Sequence, residues 1–143
     1  MKPIIFAVLT AVFWSAGSFF EKRGLHLAGL SPLMGITIRT GIAIIVLGAV
    51  SSPQWHTLSN AGPKPLLYLI LGGGVLGGLL GMLCFYTAIG GGQLSRVMPL
   101  AFGLTPLFGF LVGVVFLQEP ADFHKILGVM LICLGVVFVL AGK

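Results

Sequence analysis

Residues 96–120, RVMPLAFGLTPLFGFLVGVVFLQEP, decide the fold. From Val97 to Leu117 the stretch is apolar and uncharged, about the ~20 residues that a helix needs to cross a hydrocarbon core. Pro99 and Pro106 lie inside it. Each removes a backbone N–H and crowds the carbonyl four residues back, which predicts a kink between Gly103 and Thr105. In lipid the freed carbonyls need partners from neighbouring helices, hydroxyls or water, so the kink is expected to face protein or a cavity. A bent structural helix is the competing reading, since proline is common in membrane helices.

Composition extends this to the whole chain of 143 residues, 57% apolar and 8% charged with mean hydropathy +1.13, against about 25% charged in soluble domains. The formal charge of +5 comes from eight Lys and Arg scattered singly or in pairs between apolar runs. They form no basic face for nucleic acid and mark the ends of spans. Cys84 and Cys133 fall within apolar segments, predicting buried thiols and neither a disulfide nor a metal site.

Five spans are expected, at residues 3–20, 32–50, 65–89, 97–117 and 122–141, in one transmembrane domain covering 1–143. A basic start before an apolar run also describes a signal peptide, but Trp14, Phe19, Phe20 and Glu21 make a poor cleavage site. In the first span Trp14, Ser18 and Glu21 share a helical face, predicting a stripe turned to the protein interior. Trp14 lies ~16 Å along the helix from Pro3, too deep for an interfacial belt. A small-residue seam explains Ser18 equally well.

Ser31-Pro32 predicts the start of the second helix, a capping serine followed by proline at the first helical position. Arg39 lies ~10 Å further in. An arginine at the centre of a span costs at least ~2.5 kcal/mol, so a functional role is the default and snorkelling the alternative. Residues 51–64, SSPQWHTLSNAGPK, have the composition of a loop, with Trp55 as an interface anchor and His56 solvated. The third span carries Gly73, Gly77 and Gly81 at four-residue spacing, and Gly74 with Gly78. Such ladders allow close helix packing. Tyr86 puts a polar tip near its far end. Gln118-Glu119-Pro120 ends the fourth span and Asp122 is placed to cap the fifth. Glu119 opposes the helix dipole, so it is expected to turn forward to the fifth helix or to Lys125 and clamp this corner. Gly128 and Gly135 give the last span a packing stripe.

Taken in order, Phe13-Trp14-Ser15, Leu30-Ser31-Pro32, Arg39, Phe85-Tyr86-Thr87-Ala88, Pro106, Leu117-Gln118-Glu119 and Leu127-Gly128 to Leu134-Gly135 resemble the EamA domain of the drug/metabolite transporter superfamily. The likeness covers almost the whole chain and rests on joint order and spacing, not on any single motif. It implies an all-α integral membrane protein, a five-helix EamA-like half-transporter unit. In that family the usual protein has ten spans, two such domains in inverted orientation around a central substrate path. One copy is present here, so a partner is expected to complete the path. Lys2, Lys64 and Lys125 lie on one side of the membrane and Lys22, Arg23, Arg96 and Lys143 on the other, three against four. Such near balance permits insertion both ways and an antiparallel homodimer. The rivals are a parallel dimer and a separate homologous half.

The expected function is transport or export of a small metabolite by alternating access, in a bacterial-type plasma membrane. Trp14, Ser18, Arg39 and Tyr86, with Thr105 and Pro106 at the kink, are the candidates to line the path. Arg39 either meets a carboxylate or phosphate on the substrate, or pairs with Glu21 or a helix C-terminus and holds the helices together. No Asp or Glu stands mid-span as a proton relay, leaving Glu21 and His26 as candidates near one surface. A structural or regulatory subunit beside a larger transporter is the alternative. Three acidic residues near span ends and three histidines in connections offer no catalytic triad or metal cluster, so neither an enzyme nor a cofactor is expected.

Overall fold

The computed structural model describes residues 2–142, and of Lys2 and Ser59 the backbone alone. Lys143, counted above among the charges flanking the spans, lies outside the described residues. Five helical stretches are long and apolar enough to cross a membrane, Pro3–Ala28, Pro32–Leu58, Pro63–Gly91, Leu94–Phe116 and Phe123–Ala141. No strand occurs among the described residues. The protein is a multi-pass, all-α integral membrane protein. Phe6, Phe20, Ile45 and Val50 are among the many large apolar side chains that point outward. Water would penalise such a surface, whereas lipid tails match it. The chain forms two compact units, residues 1–91 and 92–143.

In the first unit, α1 (Lys2–Ala28) runs past Phe20 and takes Glu21, Lys22 and Arg23 into the helix. It ends at Gly29, whose φ of +60° suits a residue without Cβ, and the Leu30 N–H closes back on the Leu25 carbonyl at 3.1 Å. Helix α2 (Pro32–Ser51) starts as the sequence predicts. Ser31 is extended and its hydroxyl accepts the Met34 N–H at 3.3 Å, with Pro32 in the first turn.

Residues 51–64 depart from the loop expectation. A 3₁₀ turn, Ser52–Gln54, leads into the short helix α3 (Trp55–Ser59). Local side-chain bonds close these turns: Trp55 Nε1 donates to Ser51 Oγ at 3.0 Å, and the Thr57 hydroxyl to the Gln54 carbonyl at 2.6 Å. Pro53 is tolerated because a first turn needs no N–H from it. The histidines sit in helices too, His26 in the last turn of α1, His56 in α3 and His124 in the first turn of α7.

The third stretch is compound, with α4 (Pro63–Tyr68), a π-helix over Leu69–Gly81 and α5 (Met82–Gly91). The wide winding follows from the glycines. At Gly78 a Cβ would lie 2.7 Å from the Gly73 carbonyl oxygen, five residues back, so a side chain there would oppose it. Among the described residues of this unit, nothing outside the helix itself comes within 4 Å of where a Cβ would stand at Gly72, Gly73, Gly74, Gly77, Gly78 or Gly81. The glycine ladder does not pack against a helix of its own unit. Helices α1, α2 and α5 do pack together, and their buried side chains are Leu25, Ile36, Tyr86 and Ile89.

In the second unit, α6 (Leu94–Phe116) is continuous through Pro99 and Pro106 and packs on α7 (Phe123–Ala141). The close approach is at Gly103, where a Cβ would lie 2.5 Å from Val136 Cγ2. Gly128 and Gly135, expected to pack, face open space. The helix pair is tied at one end by Arg96, whose Nη2 donates to the Gly142 carbonyl at 2.6 Å, a cation on the C-terminus of α7. The thiols also differ from expectation. Cys84 is exposed and Cys133 half-buried, because each stands on an outer helix face.

Candidate functional site

The first unit brings Glu21, Lys22, Arg39 and Tyr86 together where α1, α2 and α5 meet. Helical spacing sets this up. Ser18, Glu21 and Leu25 share one face of α1, Gly35 and Arg39 lie four apart on α2, and Tyr86 and Ile89 three apart on α5. The apolar members, Leu25, Ile36 and Ile89, are buried where these three helices pack, which brings the polar members into register.

At the centre, Arg39 Nε lies 3.3 Å from Glu21 Oε1, with side chains 42% and 22% exposed respectively. The cost of an arginine within a span is thus offset by a carboxylate on the neighbouring helix. Tyr86, 2% exposed, donates its hydroxyl to the same Glu21 carboxylate. Its ring fits because position 35 is glycine: a Cβ there would stand 2.8 Å from Tyr86 Cε1 and 2.8 Å from Leu25 Cδ2. Beside this group, Lys22 Nζ donates to the Ile89 carbonyl at 2.9 Å, placing a cation near the C-terminal end of α5.

Two cavities flank the cluster. One of about 250 Å³ has Glu21, Arg39 and Tyr86 in its wall, with Phe20, Leu30 and Ile38 as apolar lining. The other, about 370 Å³, lies toward the ends of α1 and α5 beside His26, Thr87 and Gly91. Leu25 and Leu30 border both.

Of the residues singled out from the sequence, Arg39 and Tyr86 come together on Glu21. Ser18 is buried one turn before Glu21, and its hydroxyl donates to the Trp14 carbonyl at 2.7 Å, within its own helix. Trp14, a turn further, is half exposed. Thr105 and Pro106 belong to the second unit. There the Thr105 hydroxyl donates to the Ala101 carbonyl at 2.8 Å, next to the Phe102 carbonyl that Pro106 cannot serve. Gly35 was missed, since a lone glycine in an apolar run carries no signal of the ring that covers it.

The corner between α6 and α7 is built differently from expectation. Gln118 takes a φ of +55° and the Glu119 N–H returns to the Gly113 carbonyl at 3.0 Å. The Glu119 carboxylate folds back over Gly113, its Oε2 3.0 Å from where a Cβ would stand, while Lys125 Nζ donates to the Pro120 carbonyl at 3.2 Å. Asp122 has the extended backbone of a capping residue, but its carboxylate caps no N–H and lies 3.5 Å from His124 Nδ1. The left-handed turn at Gln118 reverses the chain, so Glu119 faces the helix it has left.

The EamA-like transporter family model matches residues 1–141. An uncharacterized protein of Methanocaldococcus jannaschii is 27% identical over 94% of this chain and 93% of its own length. The uncharacterized transporter YvbV of Bacillus subtilis is 23% identical over 95% of this chain, and an uncharacterized transporter of Archaeoglobus fulgidus 29% over 97%. The chain spans slightly under half of these two transporters, 44% and 48%. No solved structure matches it. With five membrane-crossing helices and a match over nearly its full length, the chain belongs to the EamA-like transporter family.

Proposed function

We propose that the chain carries a small metabolite across the membrane by alternating access, as one five-helix half of a path that a second unit completes. The observation that carries this reading is the Glu21–Arg39–Tyr86 cluster, which lines a cavity within helices of membrane-spanning length. Ionisable groups in that setting are costly and mark substrate pathways. In many secondary transporters the site lies between two repeats, and the glycine faces of residues 69–81, uncovered within their own unit, leave room for close approach by a second five-helix chain.

A second copy in antiparallel orientation fits the near balance of positive charges at the span ends. Single cysteines placed at residue 2 and at residue 143, in a chain lacking Cys84 and Cys133, test it by labelling from outside intact cells. Labelling of each terminus in a fraction of the molecules supports the antiparallel pair. Labelling of one terminus alone overturns it in favour of a parallel dimer or a separate homologous half.

A further inference from the structure

We propose that the cavity between α1, α2 and α5 takes a small monocarboxylate with an apolar body, whose carboxylate replaces that of Glu21 on Arg39. This deepens the transport reading above and rests on it. Arg39 and the Tyr86 hydroxyl already converge on one carboxylate, so the protein supplies its own stand-in for the substrate group. A guanidinium and a hydroxyl suit a carboxylate, while a phosphate dianion would call for further donors. The remaining wall is Phe20, Leu25, Leu30 and Ile38, which fits an apolar body. At about 250 Å³ the space lies below the range of drug-sized sites. Arg39 is still 42% exposed while paired, so an incoming anion can reach it before Glu21 leaves.

The exchange has an electrostatic consequence. Arg39 on α2 and Tyr86 on α5 face Glu21, and along α1 its charged or titratable neighbours are Lys22, Arg23 and His26. Lys22 is engaged with the Ile89 carbonyl. A Glu21 carboxylate displaced from Arg39 loses its ion-pair partner beside apolar walls, a cost against which the incoming carboxylate competes for Arg39.

The test uses the full chain in detergent, with benzoate as probe and benzamide as its uncharged counterpart. Benzoate raises the unfolding temperature of the wild type and benzamide does not. In Glu21→Gln the competing carboxylate is gone. If the ion pair is closed about three-quarters of the time, benzoate binds this variant roughly fourfold more tightly. Tyr86→Phe, which keeps the ring, weakens benzoate binding several-fold. Benzoate binding no tighter in Glu21→Gln than in the wild type, or equal binding of benzamide, overturns the inference. A chain that transports neutral solutes yet ignores benzoate refutes this inference alone. One that binds benzoate as described and moves nothing refutes the transport reading.

Discussion

The ring of Tyr86 lies against the bare backbone of Gly35, so close that a Cβ at residue 35 would stand 2.8 Å from Cε1 and 3.0 Å from Cδ1. That contact sets how near α2 and α5 approach, and so whether the Tyr86 hydroxyl reaches Glu21. Gly35→Ala is expected to displace the ring and lower stability by about 1–3 kcal/mol, as overpacking does in a filled interior. Thermal unfolding in detergent checks this, and an unchanged midpoint would show that the helices part freely at this point.

The ion pair itself contributes little to stability. Arg39 is 42% exposed in the chain, and side-chain hydrogen bonds between membrane helices average about 0.6 kcal/mol in double-mutant cycles. A cycle of Glu21→Gln, Arg39→Gln and the double variant is expected to give a coupling of about 0.5–1 kcal/mol. A coupling of several kcal/mol would mark the pair as a structural clamp.

Packing in the second unit depends on Gly103, and the expected cost of Gly103→Ala is about 1–3 kcal/mol, because Val136 is β-branched and cannot swing its methyl aside freely. Gly135→Ala meets nothing within 4 Å and is expected to leave the stability of this unit unchanged or raise it by up to about 1 kcal/mol. Unfolding of both variants in a denaturing detergent series checks the contrast, which a larger loss in Gly135→Ala would reverse.

Residues 69–81 wind as a π-helix because Gly78 has no Cβ to meet the Gly73 carbonyl. In the wild type, cysteines scanned along this segment are expected to show accessibility recurring every fourth or fifth residue. Gly78→Ala is expected to tighten the segment toward α-winding, with recurrence every third or fourth. An unchanged pattern in the variant would mean that the winding does not depend on Gly78.

The architecture was legible because apolar runs of membrane length and the prolines, serines and charges that bound them are local signals. Ser31-Pro32 is an example, a cap written in consecutive residues. The cluster was partly legible. The spacing of Trp14, Ser18 and Glu21 put Glu21 on the inward stripe of α1, and Glu21 stood among the possible partners of Arg39. Lys22 on Ile89, Gly35 under Tyr86 and Gly103 under Val136 were not legible, because each depends on a neighbour distant in sequence. The π-winding was hidden for another reason, since its glycines also fit the pattern of a tightly packed α-helix.

Movement of a small metabolite along a path past Arg39 can be followed by reconstituting the purified protein in liposomes loaded with a cell metabolite extract. Labelled extract supplied outside is then followed inward by counterflow. The wild type is expected to accumulate one or a few labelled compounds, and Arg39→Ala, inserted to the same level, none. Equal accumulation by both would remove Arg39 from the path, and no accumulation by the wild type in either orientation would contradict transport by this chain.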